Sequence, residues 1–301
     1  MGSLLMIDNQ EAVMKANELC NLYGIDTITT GGTIAMAFEC YEKVIISKTD
    51  TGGLELIWGN AEAMVELVDK IGKREGLGEA LADGMKIAAE KIGKGAEMFA
   101  VGIRGKAVAY HDARIAPAQG AMFVCDANIA HHMDSPYTNM LESGRQISED
   151  PLLQAPELNT FGDYDKKGPM YVLGTSLHQL LNSCGLCALL TLHTPLLPLA
   201  DLIAGAAGWD FDWAEGLRVG RRMMTLRHAF NVREGITPDD IDLPKRLKEE
   251  PLTMINSQQG EPVKIDFDAL KNAFYKEMEW DIKTGRPSEK TLKELGIFEL
   301  V

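Results

Sequence analysis

The chain has 301 residues, 46% of them hydrophobic and 25% charged, a composition that fits folded globular domains and argues against a disordered chain. A formal net charge of -14 without any Lys/Arg stripe excludes the electrostatic footprint of nucleic-acid binding. The most apolar stretch, Pro195 to Trp209, carries Asp201 and falls short of the ~20 residues of a bilayer span, and Asp8 ends the first apolar run before a signal-peptide core can form, so neither membrane insertion nor export is indicated.

Asp8 with Glu11 three residues on reads as an N-cap pair, after which Val13, Ala16, Cys20 and Tyr23 recur at helical spacing until Gly24. Gly31-Gly32 predicts a break before a second helix, Thr33 to about Glu42, with Ile34, Ala37, Phe38 and Tyr41 on one face. The alternation of Leu54, Leu56 and Trp58 predicts a short strand or extended segment, and Asn60 predicts the cap of a helix carrying Met64, Leu67, Val68 and Ile71. Another helix is expected from about Glu79 to Ile92, after which the pattern thins and a domain boundary is placed near Gly105. From His111 to Met170, Pro117, Pro136, Pro151, Pro156 and Pro169 predict a loop-rich region with short helices, the kind of irregular segment that often carries function. Helical periodicity returns at Gly174 to Leu192, Trp213 to Val232, Phe267 to Trp280 and Ser288 to Leu295, while Leu243-Pro244 begins a turn or extended link. The expectation is a mainly α chain of two packed helical domains, 1–105 and 106–301, with ligand-binding groups at their junction.

Five cysteines, Cys20, Cys40, Cys125, Cys184 and Cys187, form an odd, scattered set that fits reduced cytoplasmic thiols better than a disulfide framework. Asn182-Ser183-Cys184-Gly185-Leu186-Cys187 places two thiols beside a glycine; such thiolates suit soft metal centres, although two buried thiols in a helix interior would read the same way. Asn21-Leu22-Tyr23-Gly24-Ile25-Asp26 repeats the pattern, and each copy is either a ligand-facing helix end or an ordinary glycine C-cap. His131-His132, preceded by Cys125 and Asp126 and followed by Asp134, offers an imidazole for proton transfer, or a structural histidine. The charges of Phe230-Asn231-Val232-Arg233-Glu234-Gly235 read as a solvated ion pair at a helix end. Phosphate-loop, dinucleotide-binding and serine-nucleophile motifs are absent from the sequence.

The segment Lys15-Ala16-Asn17-Glu18-Leu19-Cys20-Asn21-Leu22-Tyr23-Gly24-Ile25-Asp26-Thr27-Ile28-Thr29 resembles the aldehyde ferredoxin oxidoreductase family, as does Ala37-Phe38-Glu39-Cys40-Tyr41-Glu42. The resemblance continues in order through Arg74-Glu75-Gly76-Leu77-Gly78, Lys91-Ile92-Gly93-Lys94-Gly95-Ala96, Gly185-Leu186-Cys187, the Phe230 to Gly235 segment, Asp242-Leu243-Pro244-Lys245-Arg246 and Leu292-Lys293-Glu294-Leu295-Gly296. It covers the C-terminal, mainly helical part of that family.

The resemblance implies a tungsten bis-pterin (tungstopterin) cofactor beside one [4Fe-4S] cluster, both held only in the complete enzyme, and oxidation of aldehydes to carboxylic acids with ferredoxin or an electron-transfer subunit as acceptor. Asn21, Gly24, Ile25 and Asp26 would serve one pterin, and Asn182, Gly185, Leu186 and Cys187 the other. Both motifs begin with Asn where the family has Asp, which keeps an acceptor, adds donors and removes charge. Cys187 would be the fourth cluster ligand, with Cys184 an extra thiol, buried or a nearby non-ligand. His132 aligns with a family histidine close to the tungsten, which implies proton transfer or substrate orientation, with His131 in that role should the alignment shift by one. The family's β-rich first domain, its Cys-x-x-Cys-x-x-x-Cys motif and a catalytic-site glutamate lie upstream of the matching region. An N-terminal β-rich domain or subunit is therefore the expected partner, with no activity expected without it and homo-oligomerisation through exposed apolar surface. Two other readings are the tungsten subunit of a benzoyl-CoA reductase-like complex and a catalytically silent helical domain that binds a partner.

Overall fold

The computed structural model describes residues 1–133, 136–192, 197–250 and 264–301, so Asp134 and the start of the apolar stretch at Pro195 lie outside the described residues. The chain is mainly α-helical, and its only β-structure among the described residues is one two-stranded hairpin, Gly102–Ile103 against Lys106–Ala107, and an isolated bridge. It divides into two compact units, Met1–Tyr110 and His111–Val301.

In the first unit, α1 (Gln10–Tyr23) and α3 (Ala61–Lys73) pack together, and α2 (Thr27–Glu42) threads a core containing Leu5, Ile34, Phe38, Leu56, Met64 and Leu67. Side-chain caps set the helix starts. Asn9, not Asp8, caps α1 by accepting from Ala12 N at 3.0 Å, and Asn60 caps α3 by accepting from Ala63 N at 3.1 Å.

Two expectations fail here for physical reasons, and one resolves between its two alternatives. Gly31 and Gly32 do not break α2, which starts four residues earlier; a Cβ at Gly31 would stand 2.2 Å from the Tyr110 hydroxyl and one at Gly32 2.8 Å from the Ala107 Cβ, so the glycines admit close neighbours into a continuous helix. Leu54 to Trp58 takes the extended alternative rather than the strand, ending in a turn: Leu56 is fully buried and Trp58 packs its ring 5.7 Å from that of Phe38. The helix expected from Glu79 to Ile92 is two, α4 (Leu77–Leu81) and α5 (Met85–Ile92), separated at Gly84 with φ 88.

The second unit is built around α8 (Gly168–Ser183), a helix with a strongly buried middle that packs on α7 (Pro136–Glu142), α11 (Trp213–Arg233) and α13 (Phe267–Glu277). Gly220 permits the α8–α11 crossing, since a Cβ there would meet the Ser176 carbonyl oxygen at 1.9 Å. The helix expected to run from Gly174 to Leu192 begins at Gly168 and ends at Ser183; α9 (Ala188–Leu192) starts only after a turn, and the short helices α10 (Leu199–Ala207) and α12 (Lys245–Glu249) flank α11 in the chain. The loop-rich expectation for 111–170 agrees with short α6 (Pro117–Cys125) and α7 joined by irregular chain.

Beneath α6 lies a buried ion pair. Lys167 Nζ, on a side chain with 0% exposure, donates to Glu142 Oε1 at 2.7 Å, and the Tyr171 hydroxyl donates to the same oxygen at 2.6 Å. Glu142 Oε2 accepts from Ala118 N at 2.7 Å. Pro117 has no N–H and Ala116 no capping side chain, so Glu142 acts as the cap of α6 from another helix.

Candidate functional site

The two repeated motifs form the same backbone turn, one in each unit. At the end of α1, Gly24 sits at φ 67, its N–H donates to the Asn21 carbonyl at 3.3 Å, and the Ile25 N–H donates to the Cys20 carbonyl at 2.9 Å. At the end of α8, Gly185 sits at φ 69, its N–H donates to the Asn182 carbonyl at 3.0 Å, and the Leu186 N–H reaches the Leu181 carbonyl at 3.3 Å. This paired arrangement is the Schellman stop, which requires a left-handed residue and so favours glycine.

The residue that closes each motif stands where the next helix begins. Asp26 caps α2, its carboxylate accepting from Thr29 N at 2.6 Å and its carbonyl from Thr30 N at 3.0 Å. Cys187 holds the corresponding place before α9, its carbonyl accepting from Leu190 N at 3.0 Å, with its thiol exposed. Asn21 and Asn182 are both exposed on the last turn of their helices, and the Asn21 amide donates back to the Asn17 carbonyl at 2.9 Å. Cys184 is exposed as well, which corrects the expectation of a buried thiol: the helix ends at Ser183, so this residue is carried out of the helix interior.

The loop after α6 carries the histidines. The Asp126 carboxylate accepts from Asn128 N at 2.7 Å, Ala130 N donates to the Phe123 carbonyl at 2.9 Å, and the half-buried rings of His131 and His132 follow, their centroids 5.6 Å apart. His111, which sequence reasoning missed, comes within 5.2 Å of the His132 ring. Three imidazoles therefore gather in the second unit. Among the described residues no group of three or more His, Cys, Asp and Glu side chains could hold a metal ion.

Two residues of α11 fasten this loop, a role the sequence did not show for either. Asn231 Nδ2 donates to the Ala127 carbonyl at 2.9 Å. Arg227 donates to Gln179 Oε1 at 3.0 Å and stands 3.6 Å from the buried Asp126 carboxylate. The asparagine was readable as part of the Phe230 to Gly235 motif, but its partner lies 104 positions away. Arg233 and Glu234 do form the expected exposed pair, at 3.3 Å, with the guanidinium over the Phe230 ring. A cavity of about 460 Å³ opens against the base of the loop, bounded by Ala127, Arg227, Phe230 and Asn231 and within the size range of small-ligand pockets.

Comparison with known proteins agrees with this architecture. The family model for aldehyde ferredoxin oxidoreductase, domains 2 and 3, matches residues 1–297. The chain is 31% identical over 305 residues to the tungsten-containing aldehyde ferredoxin oxidoreductase of Pyrococcus abyssi, covering 100% of this chain and 48% of that protein. It is 27% identical over 312 residues to the aliphatic sulfonate oxidoreductase, WOR-like subunit, of Pyrococcus furiosus, covering 99% of this chain and 45% of that one. The solved active site complex BamBC of benzoyl coenzyme A reductase, in complex with 1,5 dienoyl-CoA, superposes with a TM-score of 0.70 at 24% identity over 92% of this chain and 44% of that chain, a likeness of fold. The chain thus spans about half the length of the curated relatives it matches. On the match over residues 1–297, the chain belongs to the aldehyde ferredoxin oxidoreductase family and comprises its C-terminal helical domains.

Proposed function

We propose that this chain is the C-terminal part of a tungsten-pterin, iron-sulfur oxidoreductase that oxidises aldehydes to carboxylic acids and passes electrons to ferredoxin, active with an N-terminal β-rich domain or subunit. The observation that carries the reading is the matched pair of glycine turns, Asn21 to Asp26 and Asn182 to Cys187, with one hydrogen-bond pattern in a chain of this family. Each turn offers an exposed carboxamide, and the second adds an exposed thiol. These groups suit the polar edge of a pterin. A four-iron cluster takes four cysteine thiolates, so Cys187 supplies one ligand and the partner supplies the others. Bound there, the metal and cluster would supply two-electron oxidation and an electron exit. The chain's own residues would hold the pterins at Asn21, Gly24, Ile25, Asp26, Asn182, Gly185 and Leu186, and move or hold a proton at the His132 imidazole, held by the Asp126 to Ala130 loop. Exposed Leu189, Leu190, Leu202 and Trp209 support an apolar partner surface in the second unit.

The fold likeness to the benzoyl coenzyme A reductase complex favours a second reading, the tungsten subunit of a related complex. Co-expression with a β-rich chain carrying the three-cysteine motif separates the readings. Stoichiometric tungsten and iron with aldehyde-dependent dye reduction supports the first, and turnover of a cyclic dienoyl-CoA without aldehyde oxidation supports the second. A complex that forms without tungsten or iron would refute both and leave a silent helical partner-binding domain. In the active complex, Cys187→Ala should remove or distort the cluster's spectroscopic signal while Cys184→Ala preserves it. The reverse pattern would overturn the ligand assignment.

A further inference from the structure

The histidine loop and the second glycine turn lie far apart in the chain, yet both are tied to one side chain of α11. The loop begins at Asp126, whose side chain is 0% exposed and whose carboxylate accepts from Asn128 N at 2.7 Å. The turn hangs on the last carbonyls of α8: Leu180 and Leu181 accept from Cys184 N, and Asn182 accepts from Gly185 N. Gln179 stands immediately before those carbonyls, buried at 1% exposure, and its own carbonyl accepts from the Ser183 hydroxyl at 2.7 Å. The Arg227 guanidinium reaches both features, donating from Nη1 to Gln179 Oε1 at 3.0 Å and standing with Nη2 3.6 Å from Asp126 Oδ1. The Gln179 amide nitrogen has no hydrogen-bond partner among the described residues. A half-satisfied buried amide is costly, and an apolar side chain of similar size would pack there without that cost. What the amide adds is an acceptor for Arg227.

We propose that Arg227 is a positioning residue whose guanidinium sets the spacing between the histidine loop and the Asn182 to Cys187 turn. A guanidinium is planar, with its donors in a fixed fork, so partners at its two ends are held at one separation; an ammonium is a point charge on a flexible stem and cannot do the same. The loop is held on α11 a second time by Asn231, one helical turn further on, and α8 crosses α11 closely at Gly220. The Arg227–Gln179 bond therefore closes a triangle of loop, α11 and α8. The tie is a feature of the fold, whereas its consequence for turnover rests on the function proposed above, in which His132 handles a proton and the turn holds a pterin. Misplacing such groups by about 1 Å costs on the order of a hundred-fold in rate.

The test has two arms. In the whole chain, NMR follows the imidazole signals of His131 and His132. Gln179→Leu, made on α8, should move them, and Gln179→Glu, which keeps an acceptor for the guanidinium, should leave them near their wild-type positions. In an Arg227→Lys background, Gln179→Leu should move them no further. Signals unmoved by Gln179→Leu, moved as far by Gln179→Glu, or moved equally in both backgrounds would overturn the proposal, and the two Gln179 variants decide it even if Arg227→Lys fails to fold. In the complex with the β-rich partner, Gln179→Leu and Arg227→Lys should each lower kcat for aldehyde oxidation by roughly ten- to a hundred-fold, with KM, tungsten and iron unchanged. An unchanged kcat would overturn the positioning role. A wild-type complex that oxidises no aldehyde would count against the proposed function instead, and the NMR arm would then decide the tie by itself.

Discussion

Replacing Glu142 with alanine should destabilise the second unit by roughly 4 kcal/mol. The carboxylate joins three elements, accepting from the buried Lys167 ammonium, the buried Tyr171 hydroxyl and the Ala118 N–H at the start of α6. Removing one partner of a buried ion pair costs about 3–5 kcal/mol, because the remaining charge stays out of water. Here the Thr160 carbonyl, 2.6 Å from Lys167 Nζ, offers only partial relief. The lost cap adds about 1 kcal/mol and the stranded tyrosine hydroxyl about 1–3 kcal/mol. These losses share one group and overlap, so they do not add. For a unit of this size, each kcal/mol lowers the melting temperature by about 2–4 °C, which gives a fall of roughly 8–16 °C by calorimetry, checked by urea unfolding. The double variant Glu142→Gln with Lys167→Met should recover much of the loss by removing both charges. A single-variant loss below about 1 kcal/mol, or a double variant no better than the single, would refute the reasoning. Because α6 leads directly into the histidine loop, the same substitution should also disturb the His131 and His132 signals in NMR spectra.

His228 is stacked on Trp280 with ring centroids 3.6 Å apart and its Nε2–H donates to the Gly285 carbonyl, 2.7 Å away; burial lowers its pKa to about 4 despite that carbonyl. Since the unfolded chain takes up this proton near pH 6.5 and the folded one near 4, stability is complete above the higher value and falls as pH drops between them, by on the order of 3 kcal/mol. His228→Phe should flatten that slope in acid titrations, and an unchanged slope would exclude this residue as its source. Gly24→Ala and Gly185→Ala meet no atom within 4 Å, so each should lose only the left-handed backbone cost of about 1–2 kcal/mol, measured by denaturant unfolding. Asn231→Ala should cost about 1 kcal/mol by removing a donor to the Ala127 carbonyl. It should shift the imidazole resonances of His131 and His132, whereas Arg233→Ala, which loses an exposed pair, should leave them in place.

Chemistry that acts within a few residues was legible in the sequence. Asn60 announced α3, and Gly24 announced the end of α1, because caps and left-handed stops use partners no more than five positions away. The family, too, was readable, since its motifs are short and recur in order, and the match to residues 1–297 agrees. Elements whose meaning depends on a distant neighbour were not. Gly31-Gly32 looked like a break because glycine is a poor helix former, and only the approach of Tyr110 and Ala107 makes it the residue that fits inside α2. The alternation at Leu54 to Trp58 left strand and extended segment both open; a strand needs a partner's hydrogen bonds, and burial of Leu56 with the Trp58–Phe38 contact satisfies the apolar side chains without one. The same holds for the candidate site. Short motifs marked His132 and Cys187, while His111, Arg227 and Asn231 joined the histidine loop only through the tertiary fold, which sets residues 104 positions apart within hydrogen-bond reach.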